Sequence, residues 1–218
     1  MWTLLAVCEE RPPSWSGALI LQNSTLVDEI HPIRELVAAC ACRGGLHGSL
    51  FPQVRRGRRQ VAITGLIHAF DYEKYPTAEE HLLKGNQILA ERGCREDIRR
   101  AIMGHAMYSG VPRDTRMAQM LFACDQLAGF ITAVALVKSS KSLQEVDAKS
   151  VRKRMKDKAF ARSVNCEGIG NGAVEMGLDL DAHIAFCVEA MRSVANEFGL
   201  AGIAPVAGAP SEIAEDSQ

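Results

Sequence analysis

The sequence predicts an all-α fold, a helical bundle preceded by an irregular N-terminal segment. Three observations predict it. From about residue 61 to residue 200, apolar residues recur at helical spacing. Helix start and stop signals follow one another in order along that stretch. No alternating strand pattern of useful length interrupts it.

The elements follow in chain order. Thr77-Ala78-Glu79-Glu80 reads as a capping box, opening a helix through His81, Leu82, Ile88 and Leu89 that stops at Gly93. A second helix runs from about Glu96 to Tyr108. A third begins near Asp114 or Thr115 and carries Met117, Met120, Leu121, Cys124, Ala128, Ile131 and Ala135 on one face. Ser142-Leu143-Gln144-Glu145 is another capping box, and the last helix spans about Asp179 to Phe198 with Gly199 as its stop. Residues 1–60 show no clean period: Pro12-Pro13, Arg43-Gly44-Gly45 and the basic run Val54-Arg55-Arg56-Gly57-Arg58-Arg59 read as irregular or loop structure. Residues 201–218, rich in Ala, Gly and Pro and then Ser, Glu and Asp, read as a disordered tail.

Composition excludes several classes. The 218 residues suit one domain with ragged ends, and 47% of them are hydrophobic, enough for a sizeable core. A net charge of -1 gives no global attraction to nucleic acid or to a membrane surface. Seven cysteines without paired spacing read as reduced thiols. Residues 2–8 are apolar but too short to span a bilayer, and they lack a basic start. A cytoplasmic protein is expected.

The richest chemistry lies in Gly65-Leu66-Ile67-His68-Ala69-Phe70-Asp71-Tyr72-Glu73, where an imidazole sits inside an apolar run and carboxylates follow within a turn. Such an imidazole needs a partner, either in the core or as a ligand. Asp125, at helical spacing from Leu121, Ala128 and Gly129, poses the same problem for a carboxylate: a metal, a buried Arg or backbone amides must satisfy it. His81 reads alone as an exposed first-turn histidine, and His105 lies one turn after Ile102 near a helix end. Three histidines and an aspartate on separate helices can converge in a bundle core, and such sites bind first-row metals.

From Ala62 to about Gly199 the chain resembles the HD-domain superfamily of metal-dependent phosphohydrolases, in particular a bacterial branch of it. The matching segments are Gly65–Pro76, Glu80–Gly85, His105–Thr115, Leu121–Phe130 and Lys149–Phe160. The resemblance implies an HD-domain helical bundle and a divalent ion such as Mn, Fe, Zn or Mg. It implies His68, His81, His105 and Asp125 as metal ligands and a small phosphorylated substrate; the charge balance adds no membrane or nucleic-acid partner. In that family water activated by the ion attacks phosphorus.

Two departures bear on activity. Ala69 stands where the family has the aspartate that bridges two ions. Asp71, about 200° further around a helix, cannot replace it but is a candidate catalytic residue that ligates, holds water or orients substrate. The family's first histidine is also missing: His31 and His47 lack its context. An alternative function is therefore a catalytically silent HD-fold binding or scaffold protein. In the basic stretch Lys149–Lys158, Arg152 and Lys149 are the candidates for holding a substrate phosphate, Arg152 by a bidentate contact; the competing reading is a solvated helix face.

Val37 to Val61, back-translated and read one base later, can encode a peptide that begins Ser-Gln-His-Ala-Leu-Ala-Glu and ends Glu-Asp-Glu-Asp-Arg-Trp. That resembles the family's missing helix. Residues before about Val61 then read as a frameshifted translation that should pack poorly, and the gene sequence over these codons decides it.

Overall fold

Seven α-helices and three 3-10 turns account for the regular structure among the described residues, with one isolated antiparallel bridge and no strand. The computed structural model describes residues 52–160 and 164–202. The helices are α1 (Pro52–Ile67), α2 (Leu83–Glu91), α3 (Glu96–Gly104), α4 (Arg116–Leu136), α5 (Ala148–Met155), α6 (Cys166–Met176) and α7 (Leu180–Arg192). The all-α expectation holds.

Helix α4 is the axis of the bundle, and α1, α3, α5, α6 and α7 all pack against it. Its sequence explains this position. Between Arg116 and Leu136 the only ionisable side chain is Asp125 apart from the thiol of Cys124, and apolar residues occupy nearly every face. By length and composition α4 is apolar enough to cross a membrane, but 61% of that stretch is buried inside the bundle, as befits a central core helix. Thr115, one of the two starts the sequence offers, caps it, its side chain accepting from the Ala118 amide. Gly93 and Gly199 lie just past the ends of α2 and the terminal 3-10 turn, with φ of 72° and 64°.

Close approach of α6 to α4 depends on glycine. A Cβ at Gly172 would lie 2.7 Å from the Ala123 Cα, so only a hydrogen fits between the two helices. The end of α7 and the segment after it close over the loop after α4: the Leu143 amide donates to the Leu200 carbonyl, and Arg192 donates to the carbonyls of Leu143, Gln144 and Val146.

Four local expectations need correction. First, the basic run Val54–Arg59 lies inside α1, which begins at Pro52, so these residues are neither loop nor irregular, and the boundary drawn near residue 61 falls within a helix. Residues 1–51, and with them most of the irregular segment and of the suspected frameshift, lie outside the described residues, as do residues 203–218 of the expected tail. Second, Thr77 does not cap a helix; residues 77–82 form turns and α2 starts at Leu83. Third, Ser142 caps only the 3-10 turn Leu143–Glu145, while Asp147 and Ser150 make the reciprocal box that starts α5. Fourth, the helices expected to reach Tyr108 and Phe198 stop at Gly104 and Arg192, and 3-10 turns continue them.

Candidate metal centre

His68, His105 and Asp125 come together from three places in the chain. His68 follows the last residue of α1, His105 is the C-terminal cap of α3, and Asp125 sits midway along α4. One ligand atom from each lies within 4.8 Å of the other two. The His68 and His105 rings meet edge to face with centroids 5.1 Å apart. Both imidazoles are buried, and the Asp125 side chain is 23% exposed, so the group opens to solvent on the carboxylate side.

The backbone orients both imidazoles in the same way. Nδ1 of His68 lies 2.7 Å from the Gly65 carbonyl oxygen, and Nδ1 of His105 lies 2.6 Å from that of Ile102. A carbonyl can only accept, so each Nδ1 carries the proton and each Nε2 presents a lone pair. This is the arrangement that fixes metal-ligating histidines in one tautomer.

Electrostatics then leave a gap that wants a positive charge. Nε2 of His68 lies 3.2 Å from Oδ1 of Asp125. With the Nδ1 proton committed to Gly65, a neutral His68 would place a lone pair against a carboxylate. A proton or a cation must sit between them. The spacing suits a cation, since two ligands of one tetrahedral ion with bonds near 2.1 Å lie about 3.4 Å apart. Burial works to raise the Asp125 carboxyl, but contact with His68 and the proximity of His105 and His81 outweigh it and hold Asp125 below the usual carboxylate range. Burial, and then the charge of His68, push His105 down to about 4, so its ring is neutral near pH 7. The donor set of two imidazoles and one carboxylate fits a first-row divalent ion.

His81 stands beside this trio without belonging to it. Its ring lies 6.2 Å from that of His105, centroid to centroid, and its Nδ1 is 3.0 Å from Oδ1 of Asp71 without the alignment of a hydrogen bond. The expectation of an exposed first-turn histidine fails, since His81 is buried.

Asp71 faces His81 and the start of α2. Its Oδ2 accepts from the amides of Leu82 at 3.0 Å and Gly85 at 3.1 Å, so a remote carboxylate does the capping expected of Thr77. A Cβ at Gly85 would lie 2.5 Å from that oxygen, which explains the glycine. Leu82 adopts φ 66° and ψ -44°, and the Leu83 amide donates to the His81 carbonyl at 2.9 Å. This is the rare positive-φ γ-turn, strained for leucine and held by the Asp71 contact. Burial raises the Asp71 carboxyl, but His81 and the Leu82 amide overcome it and leave it lowered. Oδ2 of Asp71 thus builds the turn that presents His81, Oδ1 faces that ring, and Asp71 is not among the three residues of the trio.

The two expected phosphate-holding cations are also elsewhere engaged or exposed. Arg152 Nε lies 3.2 Å from Oδ1 of Asp181 on α7, and Lys149 is solvent-exposed on α5. Among the described residues no recorded contact joins either to the trio.

Two supporting residues were not singled out in the sequence. Arg113 makes a bidentate contact to Glu175 of α6 at 2.8 and 2.6 Å, donates to the Gly104 carbonyl, and stacks over Phe122 of α4 at 3.8 Å. It ties the end of α3, where His105 sits, to both neighbouring helices. Its place inside the segment His105–Thr115 was the only signal. His183 is a satisfied core histidine, with Nε2 3.1 Å from the Ala123 carbonyl.

No protein-family model, curated protein or solved structure matches this chain.

Proposed function

We propose that this chain is an HD-type metal-dependent phosphohydrolase acting on a phosphate ester or nucleotide in the cytoplasm, with His68, His105 and Asp125 holding a single divalent ion. The observation that carries this reading is the facing pair of acceptors, His68 Nε2 and Asp125 Oδ1, 3.2 Å apart beside the neutral His105. Two imidazoles favour Zn, Fe or Mn over Mg, which prefers oxygen ligands. A bound ion supplies charge that acidifies water and offsets the charge developing on phosphoryl oxygens.

The chain's own residues do the rest. Gly65 and Ile102 carbonyls hold the two imidazoles in the required tautomer. Asp71 fixes the γ-turn after His81, whose ring lies 6.2 Å from that of His105 and so brings a proton-exchanging group beside the trio. Arg113 holds the His105 end of α3 in place.

Ala69 favours a second reading, a silent scaffold of the same fold, because it removes the carboxylate next to His68. Metal content and turnover separate the two. Purified protein with about one equivalent of metal and hydrolysis of a generic phosphodiester or nucleotide supports the enzyme; protein that takes up no metal and shows no turnover refutes it.

A further inference from the structure

Seven large apolar side chains stand exposed among the described residues, and their placement is uneven. Four of them follow a site histidine closely in the chain: Tyr72 after His68, Leu83 after His81, and Met107 and Tyr108 after His105. Tyr72, Met107 and Tyr108 are 52%, 57% and 54% exposed. Exposed aromatic and thioether groups placed together beside a polar centre commonly mark a binding surface.

Their geometry is that of a rim. The Tyr72 ring meets His81 edge to face, with centroids 5.1 Å apart. Met107 and Tyr108 sit on the 3-10 turn Met107–Ser109 that leaves the trio directly after His105. The Asn165 side-chain amide at the start of α6 lies 3.8 Å from the Met107 sulfur and borders this edge. His81 links the two parts of this edge, its ring lying 5.1 Å from that of Tyr72 and 6.2 Å from that of His105, two residues before the turn that carries Met107 and Tyr108. Arg152, one of the two cations expected to greet a substrate, is paired instead with Asp181 of α7.

We propose that Tyr72, Met107 and Tyr108 form a binding rim beside the candidate metal centre that takes the flat aromatic part of a phosphate ester. The proposal rests on the metal-centre reading and adds the substrate class. The phosphate end faces the ion, and the ring stacks against the two phenols. Aromatic faces bind planar rings with little sequence or substituent preference, so a nucleobase and a simple aryl group share this chemistry.

The test uses the zinc-loaded full chain and calorimetric titration with stable probes: phenylphosphonate, its saturated counterpart cyclohexylphosphonate, inorganic phosphate, and adenosine 5′-monophosphate. Phenylphosphonate is expected to bind about tenfold tighter than cyclohexylphosphonate, equal to ~1.4 kcal/mol. Tyr72→Leu and Tyr108→Leu keep apolar volume but lose the flat face; both are expected to reduce that preference while leaving affinity for inorganic phosphate unchanged. Both positions are half exposed, so neither change threatens folding. Tighter binding of the adenosine phosphate than of phenylphosphonate assigns the rim to a nucleobase, and the reverse order assigns it to a smaller aryl group. Equal binding of the planar and saturated probes, with phosphate still bound, overturns the rim and spares the metal centre. Absence of zinc uptake and phosphate binding overturns both.

Discussion

Replacing Gly85 by alanine tests the device that presents His81. The new methyl carbon would fall 2.5 Å from Oδ2 and 2.6 Å from Cγ of Asp71, closer than carbon approaches either atom, so the carboxylate must leave its place. It now accepts from two amides, at 3.0 and 3.1 Å. Hydrogen bonds to a buried charged group contribute about 1.5–3 kcal/mol each, so losing both costs about 3–6 kcal/mol. Alanine returns about 1 kcal/mol of helix propensity. The expected net loss is about 2–5 kcal/mol, a large share of a typical domain's 5–15 kcal/mol. Urea titration reads it as a lower midpoint at constant slope. The double variant Asp71→Ala/Gly85→Ala isolates the cause: with the carboxylate gone, the Gly85 change should be neutral or mildly stabilising. An equal cost in both backgrounds would show that the clash is not with Asp71 and would refute the capping role assigned to it.

Three further outcomes are expected. Gly172→Ala should destabilise by about 1–3 kcal/mol, because its Cβ meets the Ala123 backbone, which cannot step aside; Gly170→Ala, with nothing within 4 Å, should instead gain up to about 1 kcal/mol, and equal effects in a denaturant titration would contradict the packing described. In metal-free protein, His105 has a folded value of about 4 against 6.5 in the unfolded chain, so the unfolded state binds this proton first. Its contribution to stability is full above about pH 6.5, declines as pH falls towards 4 and is flat below; denaturation midpoints across that range should lose this slope in His105→Gln, and an unaltered slope would count against a buried neutral imidazole. Ala69→Asp should raise metal affinity about tenfold or more in a competition titration, since it adds a carboxylate beside an assembled centre; unchanged affinity would mean that the trio does not hold an ion.

The structure also separates two kinds of information about the site. Local signals worked where one segment decides its own conformation. Thr115 and Asp179 cap helices that start where the sequence places them, and Gly93 marks the expected end of α2. Thr77 failed because Asp71 competes for the same helix start, and that competition is set by a contact between residues 71 and 85, invisible to any local pattern. Arg113 was passed over for a similar reason: its partners Glu175 and Phe122 lie far from it in sequence.

The amino-acid order alone determined that this chain is helical, that α4 must be buried, and that a carboxylate within it needs a partner, because periodicity and the cost of desolvation act residue by residue. Only the folded arrangement decided which groups meet. It brought His68 and His105 to Asp125, turned Asp71 away to build a turn, and left Arg152 with Asp181. Convergence depends on where helices cross and on which ring nitrogen a backbone carbonyl claims, and neither is written in the spacing of the residues themselves.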